Sequence, residues 1–152
     1  MFAEPRFYMK LNQFTDIGIR TLAYLTRGVP ATITEISSQL NISRHHLTKV
    51  VHFMGKQQWI ITTQGKNGGI RLAHNPNTYK LGDTIQTLEQ FVEKKQPLID
   101  CIGLDCKLMP VCKLTSFLDQ ALVEFYRKLN EFTLADMLKN QELKKIFITT
   151  IE

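Results

Sequence analysis

Three patterns in the amino-acid sequence predict a mainly α-helical fold with a small β-wing and one long helix left over for pairing. Apolar residues recur at helical spacing in several stretches. One short run of strand formers is followed by a glycine-rich tip and a return run. The excess positive charge is confined to the segment that holds both. At 152 residues, with 43% hydrophobic and 22% charged residues, the chain fits one compact domain, or a small domain with an appendage. It can build a sizeable core without disulfide staples.

The first helix is expected over residues 14–27, where Ile19, Leu22, Ala23 and Leu25 keep roughly helical spacing. Thr15 or Asp16 is its expected start signal, and Gly28 and Pro30 end it. Thr32 and Glu35 have the capping-box spacing, which opens a short second helix to about Leu40. Asn41 to Ser43 is a tight turn, and Ser43 is placed to cap a third helix to about Gln57. Leu47, Val50, Val51 and Met54 form its inner face; Arg44, His45, His46 and Lys49 form its outer face. Two short helices joined by a turn, the second basic at its N-terminal end, are a helix-turn-helix pattern.

Residues 59–64 are rich in strand formers, residues 65–69 make a flexible tip, and Ile70 to Leu72 returns. A hairpin directly after the recognition helix, with Lys66 and Asn67 at its tip and Arg71 at its base, is a wing. Ile85, Leu88, Phe91 and Val92 predict a helix over 84–95, closed by Pro97. A long helix is expected from Lys113 to about Asn130. Its stripe, including Leu114, Phe117, Leu118, Leu122, Phe125 and Leu129, is wider than one small domain needs. Pairing with the same helix of a second subunit would bury it, and two-fold pairing suits a palindromic operator. Thr133 to Asp136 reads as another capped helix start, and residues 146–151 as a short strand or a packed end.

Charge gives the helix-turn-helix a partner. Glu35 and Asp83 bracket 47 residues without an acid, which hold Arg44, Lys49, Lys56, Lys66, Arg71, Lys80 and all four histidines. The rest of the chain is close to neutral. A one-signed basic segment inside a neutral protein is a footprint for a polyanion. The third helix fits a major groove of double-stranded DNA, where Arg and His side chains reach base-edge acceptors. The wing can lay a cation on the backbone or in the minor groove. Ser43, Arg44, His45, His46, Lys49, Lys66, Asn67 and Arg71 are the candidate DNA-binding residues. With about three to five phosphate contacts per subunit, binding would be strongly salt-dependent.

The three cysteines, Cys101, Cys106 and Cys112, lie within twelve residues, a C-x4-C-x5-C spacing. The N-terminus has no secretory-signal pattern and no apolar run suits a membrane span, so a reducing, cytoplasmic setting is expected. There, clustered cysteines point to a metal rather than to disulfides. Soft thiolates select zinc, Cu(I) or an iron–sulfur centre. The second gap of five residues and the lack of a histidine after His74 favour iron–sulfur and leave zinc open. Either metal is one ligand short. No catalytic residues are expected, since every histidine lies in the basic half, away from the thiols.

The chain resembles the Rrf2 family of winged-helix transcription regulators, and within it the nitric-oxide-sensing repressors. The likeness is carried by Leu11 to Asp16 with Gly18 and Arg20, by Ser43 to Lys49, by Gly65 to Leu72 with Gly82 and Asp83, by the cysteine triad, and by Phe132 to Asp136. It runs from Met9 to about Asn140. The resemblance implies an iron–sulfur cluster, 4Fe-4S or else 2Fe-2S, held by Cys101, Cys106 and Cys112. It also implies a homodimer in which Asp16 of the partner subunit is the fourth ligand. In the members that regulate cluster biogenesis a histidine stands three residues after the third cysteine; that position here is Thr115, so their pattern fails.

The expected organisation is an N-terminal extension (1–8), a winged helix-turn-helix (9–82), a connecting helix (83–97), a cluster-binding loop (98–112), and a dimerisation helix with a C-terminal segment (113–152). The function expected from the resemblance is a repressor that releases DNA when nitric oxide damages its cluster. A regulator of the same family answering to iron or cluster status is the alternative. A small redox or electron-transfer protein is the reading from another class, and the acid-free winged helix argues against it.

Overall fold

The computed structural model describes residues 10–92 and 98–138. The N-terminal extension, Pro97 and the apolar segment 146–151 lie outside the described residues. The elements run α1 (Gln13–Leu25), α2 (Ile33–Leu40), α3 (Arg44–Lys56), β1 (Ile60–Thr63), β2 (Gly69–Leu72), α4 (Leu81–Val92) and α5 (Leu114–Leu129), with 3-10 turns at Pro76–Thr78 and Leu134–Leu138. This is a mainly helical, winged-helix fold. No helix among the described residues is long and apolar enough to cross a membrane.

α1 starts earlier than expected. Its N-cap is Asn12, whose side-chain oxygen accepts from the Thr15 N–H at 2.8 Å. Thr15 is fully buried on the inner face, and Asp16 turns outward. Leu22 and Leu25 of α1 share a core with Ile36 of α2 and with Leu47, Val50 and Met54 of α3. All four expected inner-face residues of α3 are buried. Phe53 is buried as well, because it faces Phe14 of α1 and Phe91 of α4, with centroids 5.5 and 4.4 Å away.

α2 opens on the expected capping box. Thr32 Oγ1 accepts from the Glu35 N–H at 3.2 Å, and the Glu35 carboxylate accepts from the Thr32 N–H at 2.6 Å. Asn41 closes α2 with φ of 50°, a left-handed conformation that asparagine tolerates. Ser43 occupies the N-cap of α3 but makes no side-chain cap hydrogen bond.

β1 and β2 pair antiparallel, Ile60 opposite Leu72 and Ile61 opposite Arg71. Ala31, between α1 and α2, adds a one-residue bridge: its N–H and carbonyl exchange hydrogen bonds with Ile70 at 3.0 and 2.8 Å. Gly69 makes room for that bridge. Its φ is 143°, and a Cβ there would lie 3.0 Å from the Ala31 nitrogen. Tyr79, buried behind the wing, clasps its base. Its hydroxyl donates to the Trp59 carbonyl at 2.7 Å and accepts from the His74 N–H at 3.0 Å.

α4 packs on α1 through Leu88, which is fully buried over Gly18. It then crosses α5 at Gly82. Asn130 at the end of α5 accepts from the Asp83 N–H at 2.9 Å and donates to the Asp83 carboxylate at 2.7 Å. Past α5, the Leu81 N–H donates to the Phe132 carbonyl and the Leu134 N–H to the Tyr79 carbonyl, both at 3.0 Å. Leu134 thereby enters the core, fully buried. The capped helix start expected at Thr133 is a 3-10 turn: the Thr133 N–H and hydroxyl both donate to the Asp136 carboxylate, at 2.7 and 2.8 Å.

No residue of α5 is buried within the single chain. Phe117 is 60% and Val123 63% exposed, although both are apolar.

Candidate DNA-binding face and cysteine loop

α3 presents Arg44, His45, His46 and Lys49 to solvent, all four exposed. Its first turn contains no acid. The N-terminal amides and the side-chain cations therefore project the same sign of potential. His45 and His46 stand side by side, their ring centroids 5.8 Å apart. At the wing tip Lys66 and Asn67 are exposed, on a turn closed by the Gly68 N–H donating to the Gly65 carbonyl at 3.0 Å. Arg71 is exposed on β2 beside Ile61.

None of the six cations between Glu35 and Asp83 enters an ion pair among the described residues; the ion pairs there join Asp16 to Arg20, Glu124 to Arg127, and Lys128 to Glu131. Their charge is uncompensated within the chain, as a phosphate-binding face needs. Two further basic residues, His52 and Lys56, are exposed on α3 as well. Thr48, His52 and Lys56 follow one another at four-residue spacing and, with Thr62 of β1, line a cleft of about 460 Å³ between α3 and the wing. That spacing was visible in the sequence, but it could not be weighed without knowing where β1 runs.

The cysteine loop is a series of tight turns leading into α5. Cys101 and Cys106 are half-buried and Cys112 is exposed; all three are free thiols. The Cys106 N–H donates to the Cys101 carbonyl at 3.1 Å, and the Cys112 N–H to the Leu108 carbonyl at 2.8 Å. Cys101 and Cys112 line one cavity of about 800 Å³, whose opposite wall is the α5 face carrying Thr115, Asp119 and Val123. Two of the sulfurs make polar contacts with the start of α5. Cys101 Sγ lies 3.7 Å from Thr115 Oγ1, and the Leu114 N–H donates to Cys112 Sγ at 3.5 Å.

Cys106 is not on that cavity. Asp105 before it has φ of 47°, a left-handed turn that spacing alone does not reveal. Asp16 is also elsewhere in the chain, on the exposed side of α1, where its carboxylate accepts from Arg20 Nε at 2.8 Å. Among the described residues no three His, Cys, Asp or Glu side chains converge on one point in the way a metal ion requires. The structure thus brings together two of the four expected ligands. Their chemistry fits a soft metal group: two thiols on a shared cavity, an N–H donating to one sulfur and a hydroxyl against the other, with no Lys or Arg among the residues lining the cavity.

A family model described as Rrf2, iron-dependent transcriptional regulator, matches residues 11–140. Among solved structures, IscR of T. potens is 23% identical, with a TM-score of 0.66, covering 87% of this chain and 88% of its own. CymR, the global cysteine regulator of B. subtilis, is 19% identical with a TM-score of 0.60, covering 85% and 95%. The oxidized form of CymR from Staphylococcus aureus is 17% identical with a TM-score of 0.65, covering 87% and 98%. At these identities the likeness is one of fold.

Proposed function

The chain belongs to the Rrf2 family of DNA-binding transcriptional regulators, and we propose that within it this protein is a dimeric repressor whose iron–sulfur cluster senses nitric oxide. One observation carries the reading: Cys101 and Cys112 face a single cavity at the first turn of α5, the helix whose apolar face is left uncovered in one chain.

In this reading Cys101, Cys106 and Cys112 hold the cluster, 4Fe-4S in form, which asks that Cys106 turn in beside the other two. Asp16 of the partner subunit completes the ligand set. A bound cluster supplies an iron open to attack by a small molecule such as nitric oxide. A carboxylate is a hard, weak ligand beside three thiolates, so Asp16 would be the ligand most readily given up. Once released, Asp16 has a ready partner in Arg20 of its own helix.

Asp16 also sits close to the DNA-reading machinery. Phe14, two residues before it, packs edge-on against Phe53 of α3. Ligation across the dimer therefore ties the position of α3 to the state of the cysteine loop, and release shifts a two-state balance away from DNA. Ser43, Arg44, His45, His46 and Lys49 read or position on the major groove; Lys66, Asn67 and Arg71 anchor the wing. The division into a DNA-binding unit (9–82) and a pairing segment (113–152) is part of the same proposal.

The test is operator affinity of anaerobically purified protein and its Asp16→Ala variant, with and without nitric oxide. The variant should lose the cluster-dependent part of its affinity. Unchanged affinity and an unchanged response would sink the strap between subunits. The family's iron-dependent description also supports a second reading, a regulator of iron or cluster status. Release of operator by iron chelation ahead of nitric oxide would favour it.

A further inference from the structure

Four threonines inside the helices bond back along their own helix, while the buried Thr15 hydroxyl of α1 meets no partner. Thr21, Thr48, Thr84 and Thr87 each donate their hydroxyl to the carbonyl four residues earlier, all at 2.7 Å. Thr115, the second residue of α5, does neither: its hydroxyl meets Cys101 Sγ, fourteen residues back. The N-cap of α5, Lys113, makes no side-chain cap bond, and the first helical N–H, that of Leu114, goes to Cys112 Sγ. The opening turn of this helix therefore directs one hydroxyl and one amide at two different cysteine sulfurs.

A metal-bound thiolate has no proton to give, so in both contacts the sulfur accepts and the helix donates. We propose that Thr115 is a positioning residue for the cluster, its hydroxyl donating to the Cys101 sulfur so that the first turn of α5 holds and tunes two of the three thiolates. The inference rests on the reading of the cysteine triad as a cluster site. Hydrogen bonds to cluster sulfurs stabilise the more negative, reduced state and so raise the potential. They also oppose loss of the thiolate from iron, since a hydrogen bond to a charged partner is among the stronger ones. Thr115 would thus act without touching iron.

The experiment compares wild type with Thr115→Val, Thr115→Ala and Thr115→Ser after anaerobic reconstitution. Iron per chain, the rate of iron loss to a ferrous chelator and the midpoint potential are measured. Amide exchange of the Cys106 N–H, which donates to the Cys101 carbonyl, is followed in the apoprotein. Valine and alanine should load iron as wild type does, lose it about tenfold faster and show a more negative potential. Cys106 exchange should quicken in their apoproteins, and serine should restore wild-type behaviour throughout. A wild type that loads iron while valine and alanine match it in loss rate and potential overturns this proposal alone. A wild type that takes up no iron overturns the cluster reading and the proposal with it.

Discussion

Gly82→Ala would put a methyl group where α4 and α5 cross. A Cβ at Gly82 would lie 2.1 Å from the Tyr126 carbonyl oxygen and 2.6 Å from Asn130 Oδ1. Ordinary van der Waals contact begins near 3.4 Å, so the helices must part by roughly 1 Å, and the carbonyl belongs to rigid helix backbone rather than to a flexible side chain. Overpacking of this kind costs about 1–3 kcal/mol. Parting also stretches the two Asn130–Asp83 hydrogen bonds, which are exposed and add about 1 kcal/mol together. Alanine returns roughly 1 kcal/mol in helix propensity, leaving a net loss of about 1–3 kcal/mol. Urea unfolding at fixed protomer concentration should show a midpoint lower by about 1 M, with the slope unchanged. Asn130→Ala, which loses the hydrogen bonds without the clash, should fall by less. A Gly82→Ala midpoint equal to or above wild type would refute the close crossing.

Thr32→Ala removes the α2 cap and should cost about 1 kcal/mol. Thr32 hydrogen bonds, backbone first and side chain second, hold the Glu35 carboxyl below its usual range. That stabilisation is full above the unfolded-state value and is lost as pH falls through the depressed folded one. Glu35→Gln should therefore flatten the acid limb of an unfolding-versus-pH curve. Tyr79→Phe removes two hydrogen bonds, one to the Trp59 carbonyl, which keeps the Ala73 N–H, and one from the His74 N–H; about 1–2 kcal/mol of stability should go, with faster amide exchange at the base of the wing. Burial pushes the Tyr79 phenol pKa up, so it stays a neutral donor, and the loss should not vary across neutral pH. Lys66→Ala should weaken binding to all DNA sequences alike and reduce the slope of log affinity against log salt by about 1; a sequence-selective loss would place Lys66 on a base instead.

The helix-turn-helix was legible because local rules and the core agree there. The Thr32–Glu35 box formed as its spacing requires, and Leu47, Val50, Val51 and Met54 all went inward. Signals failed where a tertiary contact overrode a local one. Thr15 could not cap α1 because the core takes its side chain, so Asn12 does. Ala31 carries no strand signal, since one residue sets no period, yet it pairs with Ile70. Phe53 was hidden by its position beside the stripe, where the rings of Phe14, Trp59 and Phe91 cover it. The cysteine triad announced a thiol site, but not that Cys106 would leave the cavity that Cys101 and Cys112 share, because a loop's direction is set by turns such as the one at Asp105.

α5 is about 24 Å long, from its 16 residues. Its first turn holds two cysteine sulfurs, and its last turn is clasped to α4 through Asn130. A helix does not bend easily over four turns, so it behaves as a lever arm. A tilt of about 10° at the sulfur end swings the other end by about 4 Å, more than the Asn130 clasp can stretch. Either the clasp opens or α4 is carried along, and with it Phe91, which lies against Phe53 of the recognition helix. A tilt imposed at the cysteine end of α5 would therefore be felt, through the clasp and Phe91, at Phe53 of α3.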